Sequence, residues 1–392
     1  MTKIENRVAR SADRFWLLTM EVHVFRTTAR SAGTAIAAFG FATLAVACDR
    51  SLTTALQPFS NTSANIFHQT NLVSDAAAYG ATTTDPLLVN PWGIAFDPTG
   101  ALWVANNGSG TATTYDANGN KLGTTISIPA AATPIVNPQA QINIGLPTGI
   151  VYSAAGDFTI QGHGAATYIF AGEDGAISAW NASMGSTAQI VADRSANGAR
   201  YKGLAMARDG SANRLYATNF KGNQIEVFDG SFTLLRAFTD STLPAGFAPF
   251  GIATIGGQLY VTFAKQQAPE NVDDVAAAGN GYVDVFAPSG ALIRRFASNG
   301  FLNSPWAIVQ APTGFGPFGG AILVGNFGDG QIGAYDAASG NFVDVLRDVN
   351  GAAISISGLW GLAFGPASGS TSLYFAAGVG DETHGLVGRL SP

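Results

Sequence analysis

Asn90-Pro91-Trp92-Gly93-Ile94-Ala95-Phe96, followed at once by Asp97-Pro98-Thr99-Gly100 and Ala101-Leu102-Trp103-Val104-Ala105-Asn106, reads as a short strand, a tight turn and a second strand. Its opening recurs as Pro147-Thr148-Gly149-Ile150-Val151, Tyr201-Lys202-Gly203-Leu204-Ala205 and Pro249-Phe250-Gly251-Ile252-Ala253. Two further copies are Pro305-Trp306-Ala307-Ile308-Val309 and Leu359-Trp360-Gly361-Leu362-Ala363. The third residues fall at 93, 149, 203, 251, 307 and 361, at intervals of 56, 54, 48, 56 and 54. A unit of this length cannot bury its faces alone, so six in a row indicate a propeller or a solenoid.

The rest of each unit decides between them. After the second strand a Gly-containing loop leads to a third strand that ends in an aromatic, often with a turn-forming residue: Tyr115-Asp116, Trp180-Asn181, Phe228-Asp229, Phe286-Ala287 and Tyr335-Asp336. Asn118-Gly119, Gly230, Ser289-Gly290 and Ser339-Gly340 then turn the chain into an outer strand such as Thr233–Phe238. Four strands per unit make a propeller blade, and the glycine and β-branched content excludes helical repeats. The last unit ends early, at Leu386-Val387-Gly388-Arg389-Leu390, whereas Ile66–Val73 alternates apolar and polar outside any unit. The expectation is an all-β, six-bladed β-propeller over residues 65–392, closed by an N-terminal strand that completes the last blade and removes its open edge.

Composition bounds the partners. Of 392 residues, 47% are hydrophobic and only 12% charged, which suits a buried β core. The net charge is −6, and the part after residue 47 is more acidic still, with 14 basic against 23 acidic residues. Such a surface repels phosphate backbones, so nucleic acid is not an expected partner, and a monomer is the expected state.

The single cysteine, Cys48, closes the apolar run Ser31–Ala47, which Arg26 and Arg30 precede. A basic stretch, a short apolar core and small residues before a cleavage point describe an export signal over residues 1–47. Met20 would start a signal of ordinary length, which reads residues 1–19 as a mis-called start. Ala45-Val46-Ala47 suits ordinary signal cleavage, while Leu44-Ala45-Val46-Ala47-Cys48 resembles a bacterial lipoprotein box in which Cys48 would be acylated. Residues 48–64, rich in Ser, Thr, Asn and Ala, read as a flexible tether. The expectation is an exported protein, periplasmic, secreted or held at the cell envelope, that touches membrane only through a lipidated N-terminus.

Several stretches carry a resemblance: Thr70-Asn71-Leu72-Val73-Ser74-Asp75, Leu88-Val89-Asn90-Pro91-Trp92-Gly93, Leu323–Gly330 and Gly358–Gly365. They resemble a family of exported bacterial propeller proteins of unassigned function, similar in blade style to NHL-type propellers. The resemblance runs from about Asn65 to the C-terminus. It implies the fold and export, and brings no activity or site residues with it.

In an antiparallel hairpin the start of strand one and the end of strand two share an edge, which in a propeller surrounds one mouth of the channel. That mouth receives Trp92, Thr148, Lys202, Phe250, Trp306 and Trp360 from strand starts. Asn106, Asn107, Glu173, Asp174, Asn219, Lys221, Lys265, Asn326 and Asp329 come from the loops. Rings that stack and amides that bond would suit a small molecule, a glycan or a protein segment, so the expected ligand-binding set is Trp92, Asn106, Asn107, Phe250, Trp306, Asn326, Asp329 and Trp360. The same residues would equally serve to pack neighbouring blades and hold loop turns. Two insertions, Pro129–Pro138 and Lys265–Asp274, lengthen loops where function tends to sit.

Other chemistry is thinly represented. Glu173, Asn219, Asn326 and Asp329 offer oxygens that would suit calcium, as in propellers of the lactonase kind, but one depth in the channel must gather them. Asp116-Ala117-Asn118-Gly119-Asn120 has its glycine in the wrong place for a calcium loop and reads as a hairpin turn. Gly314-Phe315-Gly316-Pro317-Phe318-Gly319 matches a dinucleotide fingerprint only by letters, since Pro317 interrupts it and no helix follows. His384, after Asp381 and Glu382, is a loop histidine that could act as a base. No catalytic residue stands out, no cofactor is called for apart from that calcium, and the reading is a binding module, with a calcium-assisted hydrolase as the alternative.

Overall fold

The computed structural model describes residues 64–133, 144–154, 156–365 and 370–392. The residues read as an export signal, Cys48, nearly all of the residues read as a tether and part of the first insertion lie outside the described residues. Six sheets stand around one axis, each antiparallel within the unit that the sequence repeat marks. Blade 1 runs Pro91–Phe96, Leu102–Asn106, Thr111–Tyr115 and Lys121–Ser127, from the axis outward. Blades 2 to 5 follow the same plan, with first strands Pro147–Tyr152, Tyr201–Asp209, Phe247–Ile255 and Pro305–Gln310. Blade 6 has Leu359–Phe364, Leu373–Ala377 and Leu386–Ser391 from the C-terminal end, and its fourth strand is His68–Ser74 from the other.

This latch strand pairs antiparallel with Leu386–Ser391, from His68 opposite Ser391 to Ser74 opposite Leu386. The ring is therefore closed as the alternating pattern of residues 66–73 requires, and blade 6 has no open edge in the closing position. Thr83–Thr84 adds a short parallel strand outside it. The chain ahead of the latch also reaches blade 5. Phe67 donates its backbone N–H to Arg347 O at 2.8 Å, and its buried ring lies 4.9 Å from that of Phe315. The glycine-rich stretch around Phe315 thus forms a socket for Phe67, with Gly316–Phe318 as a short 3₁₀ turn.

The turns obey the chemistry of their residues. Asp116 Oδ1 accepts from the N–H groups of Asn118 and Asn120 at 2.8 and 2.9 Å, closing a hairpin turn. Asp229 does the same with Ser231 and Thr233, and Asp97 with Thr99 and Ala101. Between blades the core is apolar, a succession of clusters in which each pair of neighbouring sheets shares its side chains.

The repeated glycine of each first strand faces the backbone of the next blade. A Cβ on Gly93 would lie 2.5 Å from Thr148 O, one on Gly149 2.5 Å from Leu204 N, and one on Gly203 3.1 Å from Phe250 O. On Gly251 and Gly361 it would collide with Trp306 O and Trp92 O. Blade 5 has Ala307 here, and the residue across the ladder is Gly325, which has no side chain to compete with it. Hydroxyls stitch the same seams: Thr148 Oγ1 donates to Tyr201 O at 2.9 Å and Thr218 Oγ1 to Phe250 O at 2.7 Å. Each such bond contributes about 1 kcal/mol.

The latch makes the first prediction. A chain that starts at residue 65 should melt like the full chain, since a polar stretch rich in Ser, Thr, Asn and Ala has little apolar surface to bury. A chain that starts after Val73 should aggregate or lose cooperative unfolding, because the third strand of blade 6 is then an exposed edge. Equal melting of the two truncations in calorimetry would refute closure by this strand.

Candidate functional site

The first strands start at one face, and the sequence places an aromatic just ahead of the seam position in four of six units, before glycine in three of them and before Ala307 in the fourth. Because the seam draws the strands together, these rings cannot spread apart, and they meet on the axis. Trp360 lies stacked on Trp92, ring centres 3.5 Å apart and 14° from parallel, and on Phe327 at 3.9 Å and 20°. Trp306 meets Trp360 edge-on at 5.7 Å and Trp92 at 6.2 Å, and Phe250 lies 5.8 Å from Trp360. Relative exposure is 2% for Trp92 and Trp360, 9% for Trp306 and 0% for Phe250. Together with Phe220 they form one apolar cluster that plugs the channel at this end.

A polar collar sits around this plug. Lys202, 3% exposed, holds its ammonium 5.1 Å from the ring centre of Trp92 and is ion-paired to Glu173, with Asp273 at 3.9 Å. Glu173 also accepts from Asn107 Nδ2 at 3.0 Å. Trp306 Nε1 donates to Lys202 O at 2.8 Å, and Trp360 Nε1 donates to Glu382 Oε1 at 3.1 Å. Burial opposes the charge on Lys202, but Glu173, then Asp273 and Glu382, hold its pKa above the ordinary lysine value. Burial pushes the Glu382 carboxyl up, and the negative charge of Glu173 adds to the effect. Burial likewise raises Asp274.

A rim pocket of about 350 Å³ opens beside the collar between blades 5 and 6. Its walls include Phe327, Asp329, Ser355, Ser357, Asp381 and Glu382, with several glycines between them. Phe327 and Glu382 connect it directly to the plug, since both touch Trp360. The second insertion contributes here too: it brings Asp273 to Lys202, and Ala276, two residues beyond its end, joins the pocket wall.

The sequence-derived candidates therefore divide. Trp92, Phe250, Trp306 and Trp360 are brought together, but with their faces against one another. Asn106 is fully buried, and its Nδ2 donates to Thr111 and Thr113 Oγ1 at 3.1 and 2.9 Å. Asn326 Oδ1 accepts from Asn303 N–H at 3.1 Å, while its Nδ2 donates to Phe301 O at 2.9 Å. Asn107 joins the collar and Asp329 joins the rim pocket, where Asn303 Nδ2 donates to its Oδ2 at 3.2 Å. Of the four oxygens named for calcium, Asn219 Oδ1 accepts from Arg200 and Gly222 N–H groups at 3.1 and 3.0 Å, and Glu173 is engaged by Lys202. Among the described residues no group of three His, Cys, Asp or Glu side chains is arranged to hold a metal ion. His384 is paired through Nδ1 with Asp75 Oδ2 at 2.7 Å, tying the blade 6 loop to the segment after the latch.

Sequence reasoning did not single out Glu382, Asp273 or Phe327. The signals were present in the acidic pair Asp381-Glu382 within a loop at this face, and in the acidic end of the second insertion. Register alone could not say which of those carboxylates turn toward the axis.

Among solved structures the chain is similar to a streptogramin B lyase, with 16% identity, 83% of this chain and 97% of that one covered, and a TM-score of 0.49. It is also similar to the amino-terminal part of BBS1 solved with ARL6, with 13% identity, 77% and 78% covered, and a TM-score of 0.42. Likeness at such identities concerns the fold alone. No protein-family model matches the chain.

The buried rings make the second prediction. Trp360→Ala should leave a cavity between Trp92 and Phe327 and cost about 3–5 kcal/mol of stability. Denaturant unfolding measures it; near-parental stability together with readily quenched tryptophan fluorescence would mean that the rings form an open platform instead.

The sequence relatives are viral. Uncharacterized protein R648 of Acanthamoeba polyphaga mimivirus is 34% identical over 325 residues, which cover 79% of this chain and 76% of that protein. Uncharacterized protein L690 of the same virus is 35% identical over 320 residues, 78% of this chain and 81% of that protein. With at least three quarters of each chain aligned at this identity, the protein belongs to the family of uncharacterised mimivirus proteins that includes R648 and L690.

Proposed function

We propose that this propeller works by binding, with its recognition surface at the strand-start face, in the rim pocket between blades 5 and 6 and the collar beside it. The observation that carries this reading is the pocket itself: about 350 Å³, with carboxylates, serine hydroxyls and one face of the Phe327 environment converging on it. Its volume falls at the lower end of the range of small-molecule sites, and a rigid ring of sheets holds its walls in place. Asp329 and Glu382 would accept hydrogen bonds from a sugar hydroxyl or a peptide N–H, and Phe327 would offer apolar contact. Trp92, Phe250, Trp306 and Trp360 support that surface from beneath, and Asn107 fixes Glu173 in the collar.

A screen of glycans and peptides by thermal shift should find a ligand whose affinity falls by about 1–3 kcal/mol in Asp329→Asn, with melting unchanged. A ligand unaffected by that change would place recognition elsewhere. The second reading, a calcium-assisted hydrolase, would instead be favoured by calcium in elemental analysis of the purified protein together with lost thermal stability on chelation.

We further propose, from the sequence around Cys48, that the protein is exported and carried on a lipid at that residue. The described residues contain no helix long and apolar enough to cross a membrane. Cys48→Ser should move the protein to the soluble fraction and abolish labelling by a fatty-acid analogue. An unlabelled parent protein with the same fractionation would remove lipidation from the account.

A further inference from the structure

The plug at one mouth leaves the other half of the axis open. We infer that this half is a second binding site, for a small uncharged and largely apolar molecule, on the face opposite the strand starts. It is a chamber of about 340 Å³ enclosed by the later residues of all six first strands, among them Ile94, Phe96, Ile150, Tyr152, Met206 and Thr254. Its inner end abuts the plug, because Trp306 lines the chamber and also belongs to the aromatic cluster. No residue lines both this chamber and the rim pocket, so the two sites are separate.

The lining defines the class of ligand. None of the lining side chains is charged, and hydroxyls come only from Tyr152 and Thr254. An ion entering would lose hydration that no charged side chain replaces, which costs far more than the same transfer of a neutral molecule. Each first strand is also the terminal strand of its sheet, so one edge of its backbone has no ladder partner. Such edges supply N–H and C=O groups that can orient one or two polar atoms on an otherwise apolar skeleton. The walls are preformed, since the glycine seams fix the spacing of the six strands, and little ordering entropy would be lost on binding.

The probe pair for the test is N-phenylnaphthylamine, which is neutral, and anilinonaphthalene sulfonate, which has a similar skeleton with one negative charge. The full chain should bind the neutral probe at least about tenfold more tightly than the sulfonate. Excitation of tryptophan should produce probe emission, because the chamber ends on Trp306. Thr254→Trp, at an exposed lining position, should narrow the entrance and weaken the neutral probe by about tenfold or more with melting unchanged. Met206→Trp, one blade away, should do the same and covers the case in which the first variant folds poorly. Equal binding of the two probes, no binding of the neutral one, or folded variants that bind like the parent would each overturn the inference.

Discussion

The contact on which the rest of the structure depends is backbone against backbone, where the first strand of one blade passes that of the next. Gly93, Gly149, Gly203, Gly251 and Gly361 occupy this place in five blades, and a methyl group at any of them would press on the neighbouring main chain. Six sheets close around an axis at this radius because that seam carries glycine in five blades and nothing larger than the methyl group of Ala307, set opposite Gly325, in the sixth. The threonine hydroxyls that bond across it then act at short range, and the apolar side chains to either side interdigitate.

The aromatic plug follows from that spacing. In four blades a large ring one residue ahead of the seam has no room to turn outward, so Trp92, Trp306, Trp360 and Phe250 pile onto one another and onto Phe327. Their burial removes them from solvent but gives the face above them a rigid, low-dielectric floor. Charges placed on such a floor are strongly coupled, which is why one buried lysine can organise Glu173, Asp273 and Glu382 around itself. The plug also divides the axis into two compartments of different character, a polar rim on one side and an uncharged chamber on the other.

The collar has a further physical consequence. Lys202 stands among carboxylates that it cannot all neutralise, and burial already raises Glu382 and Asp274. A ligand bringing donors to this face, as proposed above, would relieve some of that repulsion, whereas an anionic one would add to it. The relatives R648 and L690 share the chain over most of its length, so the same balance of one cation and several acids can be sought at their equivalent positions.

The amino-acid sequence by itself determined the number of blades, the four-strand grammar and the closure by residues 66–73, because glycine, turn chemistry and alternation act over a few residues and repeat. It also placed the mouth residues on one face, since hairpin register requires it. What only the tertiary structure decided was the direction of each side chain at that face. Whether Trp360 lies open or stacked depends on Phe327, 33 positions earlier, and on how closely the glycine seams draw the blades together. Whether Asn326 is a ligand group or a loop brace depends on Asn303 in another turn. The rim pocket and the chamber are spaces between strands far apart in the chain, and a sequence pattern records which residues alternate but not the gap that remains when the ring closes.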